Sequence, residues 1–241
     1  MDTPDKPSKS WPNDIFVLIP AYRAAGNLEH FLPELLKTVP QENICIVDDG
    51  SMDDTETVCN RHGIVCLKNE INRGKGAALR KGFSHLLQKK TTWIITMDAD
   101  GQHAVADLTS FIHTAHKRRD VGIIIGARSI RPGKMPPARI FSNTVTSALL
   151  SLFCRAQIRD SQCGYRLYAT KLLKQIPLRF NRFEMESEVI LKSCNAGFPV
   201  LFIPVQTLYC STRSHISHIM DILRWLYAIL SVWFELHLKK S

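Results

Sequence analysis

Trp93-Ile94-Ile95-Thr96-Met97-Asp98-Ala99-Asp100-Gly101-Gln102-His103 joins an apolar run to two carboxylates two positions apart. The run reads as a buried strand, and residues two apart on an extended chain point to the same side. Two like charges aimed one way at a strand's end repel unless a positive charge lies between them. A divalent cation is a suitable counter-charge, because hard cations take one or two carboxylates together with substrate phosphates. Asp98 and Asp100 are therefore candidate metal ligands. Gln102, two positions on, can add an oxygen or hold a metal-bound water, and His103 reads as a local hydrogen-bonder. The plainer alternative is a pair of turn or cap carboxylates.

Similar runs lie on either side. Ile15 to Ile19, Ile44 to Val47, Ile64 to Leu67, Val121 to Ile125 and Val200 to Ile203 read as strands. Helical spacing runs through Leu28 to Leu36, from near Asp53, through Ala77 to Leu86, and from Leu108 to His116. Strands alternating with helices argue for an α/β fold with a mostly parallel sheet flanked by helices. Ligands of such sheets bind beyond the carboxyl ends of the strands. The unusual residues cluster there: Pro20-Ala21-Tyr22, Asp48-Asp49-Gly50-Ser51, Asp98-Ala99-Asp100 and Gly126-Ala127-Arg128.

The 241 residues and 45% hydrophobic content suit one core-forming domain, and a net charge of +9 favours anionic partners. Seven cysteines without a CxxC pair fit a reducing compartment. Residues 1–13 are polar and Pro-rich without an apolar leader core, and read as a flexible tail. No window reaches the roughly 18 apolar residues of a membrane span. Between Val121 and Phe183 the chain carries eight arginines, three lysines and a single acid, Asp160. Helices are expected there over Phe141 to Phe153 and Glu186 to Cys194, as an extension of the same domain.

Asp48 and Asp49 suit hydrogen bonds from a ribose hydroxyl or a base N–H; a turn and helix cap is the alternative. Asn72-Arg73-Gly74-Lys75-Gly76 reads as a glycine-rich turn whose bare N–H groups and helix dipole favour an anion. It is neither GxxxxGK[ST] nor GxGxxG, so an NTPase or dehydrogenase is not expected.

Taken together, VLIPAYRAAGNL, IVDDGSMDDT, NRGKGAALRKGF, MDADGQH, GARS, DSQCGYRLY, FEMESEVILKSCNAG and STRSHI, running from Val17 to Ile216, resemble the inverting glycosyltransferases of family 2. Within them the likeness is to the polyprenyl-phosphate glycosyltransferases typified by dolichyl-phosphate mannose synthase. The resemblance implies a GT-A nucleotide-diphospho-sugar transferase fold over residues 14–215, with a nucleotide-sugar and metal half (14–127) and an acceptor half (128–215). It implies a GDP-, UDP- or dTDP-sugar donor, with Pro20, Tyr22, Asp48, Asp49 and Ser51 lining the nucleotide pocket and Lys75 nearby. Asp98, Asp100 and Gln102 would hold Mg²⁺ or Mn²⁺ on the diphosphate, and Arg128 would help bind phosphate. Arg213 and His215 match a loop that closes over the diphosphate.

A hydroxyl acceptor needs a general base, whereas a phosphate acceptor is already an anion and needs positive charge to collect it. Arg128, Arg131, Arg139 and Arg166 are candidates for that charge, against the alternative of a solvated basic face. Asp160 is then either the base for a hydroxyl acceptor or, as preferred here, an organiser of Arg166. Glu186 can hold an arginine or face the sugar. Asp221 to Trp225 ends in the RW of a processive synthase's QxxRW but lacks its Gln, which lowers that reading.

Residues 216–241 form an expected amphipathic helix. Its polar residues Ser217, Asp221, Arg224, Ser231 and Glu235 make one narrow stripe, and the rest is Ile, Leu, Trp, Tyr and Phe. A wide apolar face of this kind suits a membrane interface; a homodimer contact, a small membrane partner or a core cover are the alternatives. The expectation is a peripheral enzyme on the cytoplasmic face of a membrane, transferring sugar to a polyprenyl phosphate. A sugar or lipid hydroxyl acceptor in cell-envelope glycan synthesis is the rival. A nucleic-acid-binding module would leave the four strand-end acids unexplained, so no nucleic-acid partner is expected. A catalytically dead membrane scaffold is disfavoured by the intact Asp98 and Asp100.

Overall fold

The computed structural model describes residues 11–128, 137–208 and 218–238. Four continuous apolar runs lie at the centre because each is flanked by protein on both faces. They are β1 (Ile15–Ala21), β2 (Ile44–Asp48), β4 (Trp93–Thr96) and β5 (Ile123–Arg128), whose aliphatic residues are almost wholly buried. With β3 (Val65–Lys68), β6 (Arg166–Ala169) and β7 (Val200–Val205) they form one seven-stranded sheet in the order β3-β2-β1-β4-β6-β5-β7. The expected strands are present, and β1 and β7 each run two residues further, through Pro20 and Pro204.

Sequence reading did not anticipate β6, a four-residue strand opening on an arginine. It is antiparallel to both β4 and β5, in an otherwise parallel sheet. Its insertion brings β6's first residue beside the last residue of β4 and the middle of β5: Thr96 and Ile125 both pair with Arg166.

The flanking helices are α1 (Ala25–Leu35), α2 (Thr55–Arg61), α3 (Lys75–Leu86), α4 (Leu108–Lys117), α5 (Pro137–Cys154), the short α6 (Thr170–Leu173), α7 (Glu184–Asn195) and α8 (His218–Leu238). α3 presses closely on β1. A Cβ at Gly82 would lie 2.2 Å from Leu18 Cδ1, so the helix can approach the strand only through glycine.

One expectation needs correction. The folded body begins before residue 14: Trp11 is buried and its indole N–H donates to the Ile15 carbonyl at 2.8 Å. The polar stripe of α8 does not face solvent along its length. Ser231 Oγ accepts from Arg179 at 2.6 Å and Glu235 pairs with the same arginine at 3.2 Å. Ala228, Ile229 and Val232 turn inward, and the outward side of α8 is mostly apolar, with Arg224 and His237 exposed among Leu223, Tyr227, Leu230 and Phe234.

Candidate active site

The carboxyl ends of β1, β2, β4 and β5 and the start of β6 meet on one edge, because β6 alone is reversed. At its centre lies a chain of alternating charge. Lys75, first residue of α3, pairs with Asp98 at 2.7 Å and with Glu186 of α7 at 3.1 Å. The other Asp98 oxygen lies 3.3 Å from His103 Nε2. Burial alone would raise the Asp98 carboxyl, but Lys75 and then His103 outweigh it and hold it far below the usual carboxylate range. Burial alone would lower the Lys75 ammonium, and Asp98 and Glu186 push it above its ordinary value instead.

Gly164 makes this cluster possible. A Cβ there would lie 2.5 Å from Asp98 Oδ2 and 2.6 Å from Lys75 Nζ. Its carbonyl accepts from Thr96 Oγ1 at 2.8 Å, fixing the approach to β6. The glycine stands in the DSQCGYRLY segment, but nothing in that segment announces that a β4 carboxylate packs on it.

Asp100 differs from Asp98. Its carboxylate accepts the Gln102 backbone N–H at 2.9 Å, and no ion pair to it occurs among the described residues. The turn itself is anchored from β7's exit, through the Leu208 N–H to the Gln102 carbonyl and a bridge between His103 and Thr207. Among the described residues no three His, Cys, Asp or Glu side chains gather as a metal cage. Asp98, Asp100 and Gln102 gather hard oxygen donors on one turn; Asp98 is engaged by Lys75 and His103, and Asp100 is a half-buried carboxylate with no ion pair among the described residues. That set fits Mg²⁺ or Mn²⁺ shared with a ligand's phosphates.

Asp49 and the glycine turn have different roles from those expected. The anion that the turn's N–H groups collect is Asp49 itself. Arg73 N and Gly74 N donate to its carboxylate at 3.1 and 2.6 Å, and Asn69 Nδ2 donates at 2.7 Å. Buried at 2% exposure, Asp49 ties β2's end to the start of α3. Asp48 caps its own turn, accepting the Ser51 N–H at 2.9 Å, while Ser51 Oγ accepts the Arg23 N–H at 2.8 Å. Pro20 is half-buried at the end of β1. Beyond it Tyr22 is 45% exposed, with the Arg23 guanidinium 5.2 Å from its ring centre.

On the other side of the edge Asp160 organises Arg128, not Arg166. Arg128 donates from Nε and Nη2 to the two Asp160 oxygens at 2.8 and 2.9 Å, and its backbone N–H adds a third bond. Burial alone would raise the Asp160 carboxyl; the Arg128 hydrogen bonds and charge outweigh it and hold it below its usual range. Arg166 is fully buried and gives its guanidinium to the carbonyls of Cys163, Glu186 and Ser161 at 2.7, 2.8 and 2.6 Å. It is a cross-brace beneath the site and cannot meet an acceptor phosphate. Glu186 lies between Lys75 and Arg166, 3.8 Å from the latter. Arg139 sits half-buried in the first turn of α5. Arg131, Arg213 and His215 lie outside the described residues.

Carboxylates, hard oxygen donors and neighbouring buried cations gathered at the carboxyl ends of parallel strands define an α/β protein with a candidate ligand site on that edge. The model of a family described as glycosyl transferase family 2 matches residues 16–177, and this chain belongs to that family. A protein of Methanocaldococcus jannaschii without an assigned function is 32% identical over 205 residues, covering 82% of each chain. A UDP-N-acetylglucosamine–dolichyl-phosphate N-acetylglucosaminyltransferase of Methanococcus voltae is 27% identical, covering 81% of this chain and 86% of that one. A polyprenol monophosphomannose synthase of Mycolicibacterium smegmatis is 26% identical, covering 78% and 75%. Among solved structures, glucosyl-3-phosphoglycerate synthase from Mycobacterium tuberculosis, crystallised with Mg²⁺ and UDP, shares the GT-A type fold. Its TM-score is 0.70 at 15% identity, covering 90% of this chain and 78% of that one.

Proposed function

We propose that this glycosyltransferase moves a sugar from a nucleotide-diphospho-sugar to a polyprenyl phosphate of dolichyl or undecaprenyl type, with inversion and dependence on a divalent cation. One observation carries the reading. Three acids beside the donor edge are committed to cations, Asp98 and Glu186 to Lys75 and Asp160 to Arg128, and the remaining one, Asp100, is assigned to the divalent cation. A general base works best with a pKa near the operating pH, and Asp98 and Asp160 are both held below the ordinary carboxylate range. An acceptor that arrives as an anion needs no base. The dolichyl-phosphate and polyprenol names of two relatives support the same acceptor class.

In this reaction an acceptor phosphate oxygen attacks the anomeric carbon. The bond from that carbon to the donor's β-phosphate oxygen breaks, and the nucleoside diphosphate leaves with the electron pair. No proton has to move. Asp98, Asp100 and Gln102 would hold the cation, which supplies positive charge for the departing diphosphate. Tyr22, Pro20, Asp48 and Ser51 frame the nucleoside side of the edge. Arg128, held flat by Asp160, offers its remaining N–H groups to phosphate, and the family resemblance assigns Arg213 and His215, outside the described residues, to the leaving diphosphate. The enzyme would act as a peripheral protein on the cytoplasmic face of a membrane. No helix among the described residues is long and apolar enough to cross one.

The test is transfer from radiolabelled UDP-, GDP- and dTDP-sugars, with and without Mn²⁺, to polyprenyl phosphate, the matching polyprenol, or a sugar alcohol. Label on polyprenyl phosphate from one donor class, lost on chelation, is expected. Label on an alcohol instead would overturn the acceptor assignment and restore a base-dependent reading.

A further inference from the structure

We propose that the buried polar side of α5 positions Arg128: Asn143, Ser147 and Ser151 fix the loop that carries Asp160, and so set where the Arg128 guanidinium points. The three residues follow one another at spacings of four, which places them on one side of a helix. Asn143 and Ser147 are 3% and 5% exposed. Serine and asparagine are poor helix formers, because their side chains compete for backbone hydrogen bonds. A buried row of them needs partners outside the helix.

Those partners lie in residues 155–165, which connect α5 to β6 and contain neither strand nor helix. The Ile158 N–H donates to Ser151 Oγ at 2.9 Å, the Ser161 N–H to Ser147 Oγ at 3.0 Å, and the Gln162 N–H to Asn143 Oδ1 at 3.3 Å. Ser161 Oγ lies 3.0 Å from both Ser147 Oγ and Thr146 Oγ1. Gln162 Nε2 donates to Ser142 Oγ at 3.0 Å. Buried backbone N–H groups have to be paired, and here the side chains of α5 do what a strand neighbour does elsewhere.

The same loop turns its other groups to the site. Asp160, between two of the anchored N–H groups, takes Arg128 at 2.8 and 2.9 Å. The Ser161 and Cys163 carbonyls take Arg166, and Gly164 lies against Asp98 and Lys75. Arg139 stands in the first turn of α5 itself. One helix therefore fixes two cations, Arg139 by carrying it and Arg128 through the loop. A functional guanidinium is only as well placed as the groups behind it. A carboxylate on a loop is rigid only where the loop is anchored. The purpose of the positioning rests on the reading of Arg128 as a phosphate-binding group; the positioning itself does not.

The full chain is assayed for transfer to polyprenyl phosphate as wild type, Ser147→Ala and Thr144→Ala, each also in an Arg128→Met background. Thr144 is the control, because its exposed hydroxyl donates to the Ile140 carbonyl within the helix. Ser147→Ala is expected to raise the acceptor KM roughly fivefold or more, with kcat lowered much less and the thermal shift by donor kept. In the Arg128→Met background the same change should raise KM by less than about twofold, because the group being positioned is gone. Thr144→Ala should match its parent in both backgrounds. An unchanged KM in Ser147→Ala would overturn the proposal. So would a rise of equal size in both backgrounds, the mark of a merely structural role, or an equal rise in Thr144→Ala. Should Ser147→Ala not fold, Thr146→Val, which loses only the hydroxyl facing Ser161 and Gln162, is read by the same criteria. A wild type that labels no polyprenyl phosphate would sink the acceptor reading alone. The positioning is then read in urea: the coupling between Arg128→Met and Asp160→Asn should fall by about half or more in the Ser147→Ala background. An undiminished coupling would overturn it.

Discussion

Asp160→Asn separates the organiser role from the base role. In the folded protein Arg128 and Asp160 are 8% and 5% exposed at their side chains and share two charge-assisted hydrogen bonds. Asparagine keeps the shape and one acceptor but removes the charge and one of the bonds. A hydrogen bond to a charged group is worth about 1.5–3 kcal/mol, and breaking a buried pair outright costs about 3–5 kcal/mol. The retained acceptor places the expected loss near the lower figure, about 2 kcal/mol, or roughly 4–8 °C in Tm for a chain of this size. The assay is urea unfolding of wild type, Asp160→Asn, Arg128→Met and the double variant. A coupling energy of about 2 kcal/mol is expected. The pH dependence gives a second check. A carboxyl whose folded pKa is depressed lends stability that is complete above its unfolded value of about 3.9. That stability is lost as pH falls through the lower folded value. The wild type therefore loses this contribution only below about pH 4, and the variant declines less steeply on acidification. In turnover, KM for the phosphate substrates should rise while kcat falls much less. A kcat lowered by 10²-fold or more at unchanged KM, or a coupling energy near zero, would refute the argument.

Three further outcomes follow from the geometry. Gly164→Ala drives a methyl group into the Asp98–Lys75 pair, so kcat/KM should fall at least tenfold in steady-state assays while circular dichroism stays native. Gly82→Ala should lower stability in urea titrations despite alanine's advantage of about 1 kcal/mol in helices, because overpacking against Leu18 costs about 1–3 kcal/mol. Asp100→Ala should abolish the Mn²⁺-dependent part of the thermal shift given by the cognate nucleotide sugar and leave the ligand-free Tm within about 2 °C of wild type, since among the described residues Asp100 makes no ion pair.

The parts of the fold that depend on local chemistry were legible along the chain. Apolar runs ended by acids or proline marked the parallel strands, and helical spacing marked the helices between them. The edge where Tyr22, Asp48, Asp98 and Arg128 gather followed from the direction of parallel strands alone. Periodicity could not reveal β6, because a four-residue strand opening on a charge carries little pattern. Its arginine is tolerable only where carbonyls from Ser161, Cys163 and Glu186 surround it.

The amino-acid sequence by itself determined which residue types arrive at the ligand edge, since strand direction and side-chain alternation are local properties. Tertiary packing alone decided which charge meets which. It gave Asp49 to the glycine turn, Asp98 to Lys75 and Asp160 to Arg128, and left Asp100 without an ion pair among the described residues. It also turned the apolar side of α8 outward. Ion pairing depends on distances of a few ångströms between segments far apart in the chain, and such distances exist only once the sheet has assembled.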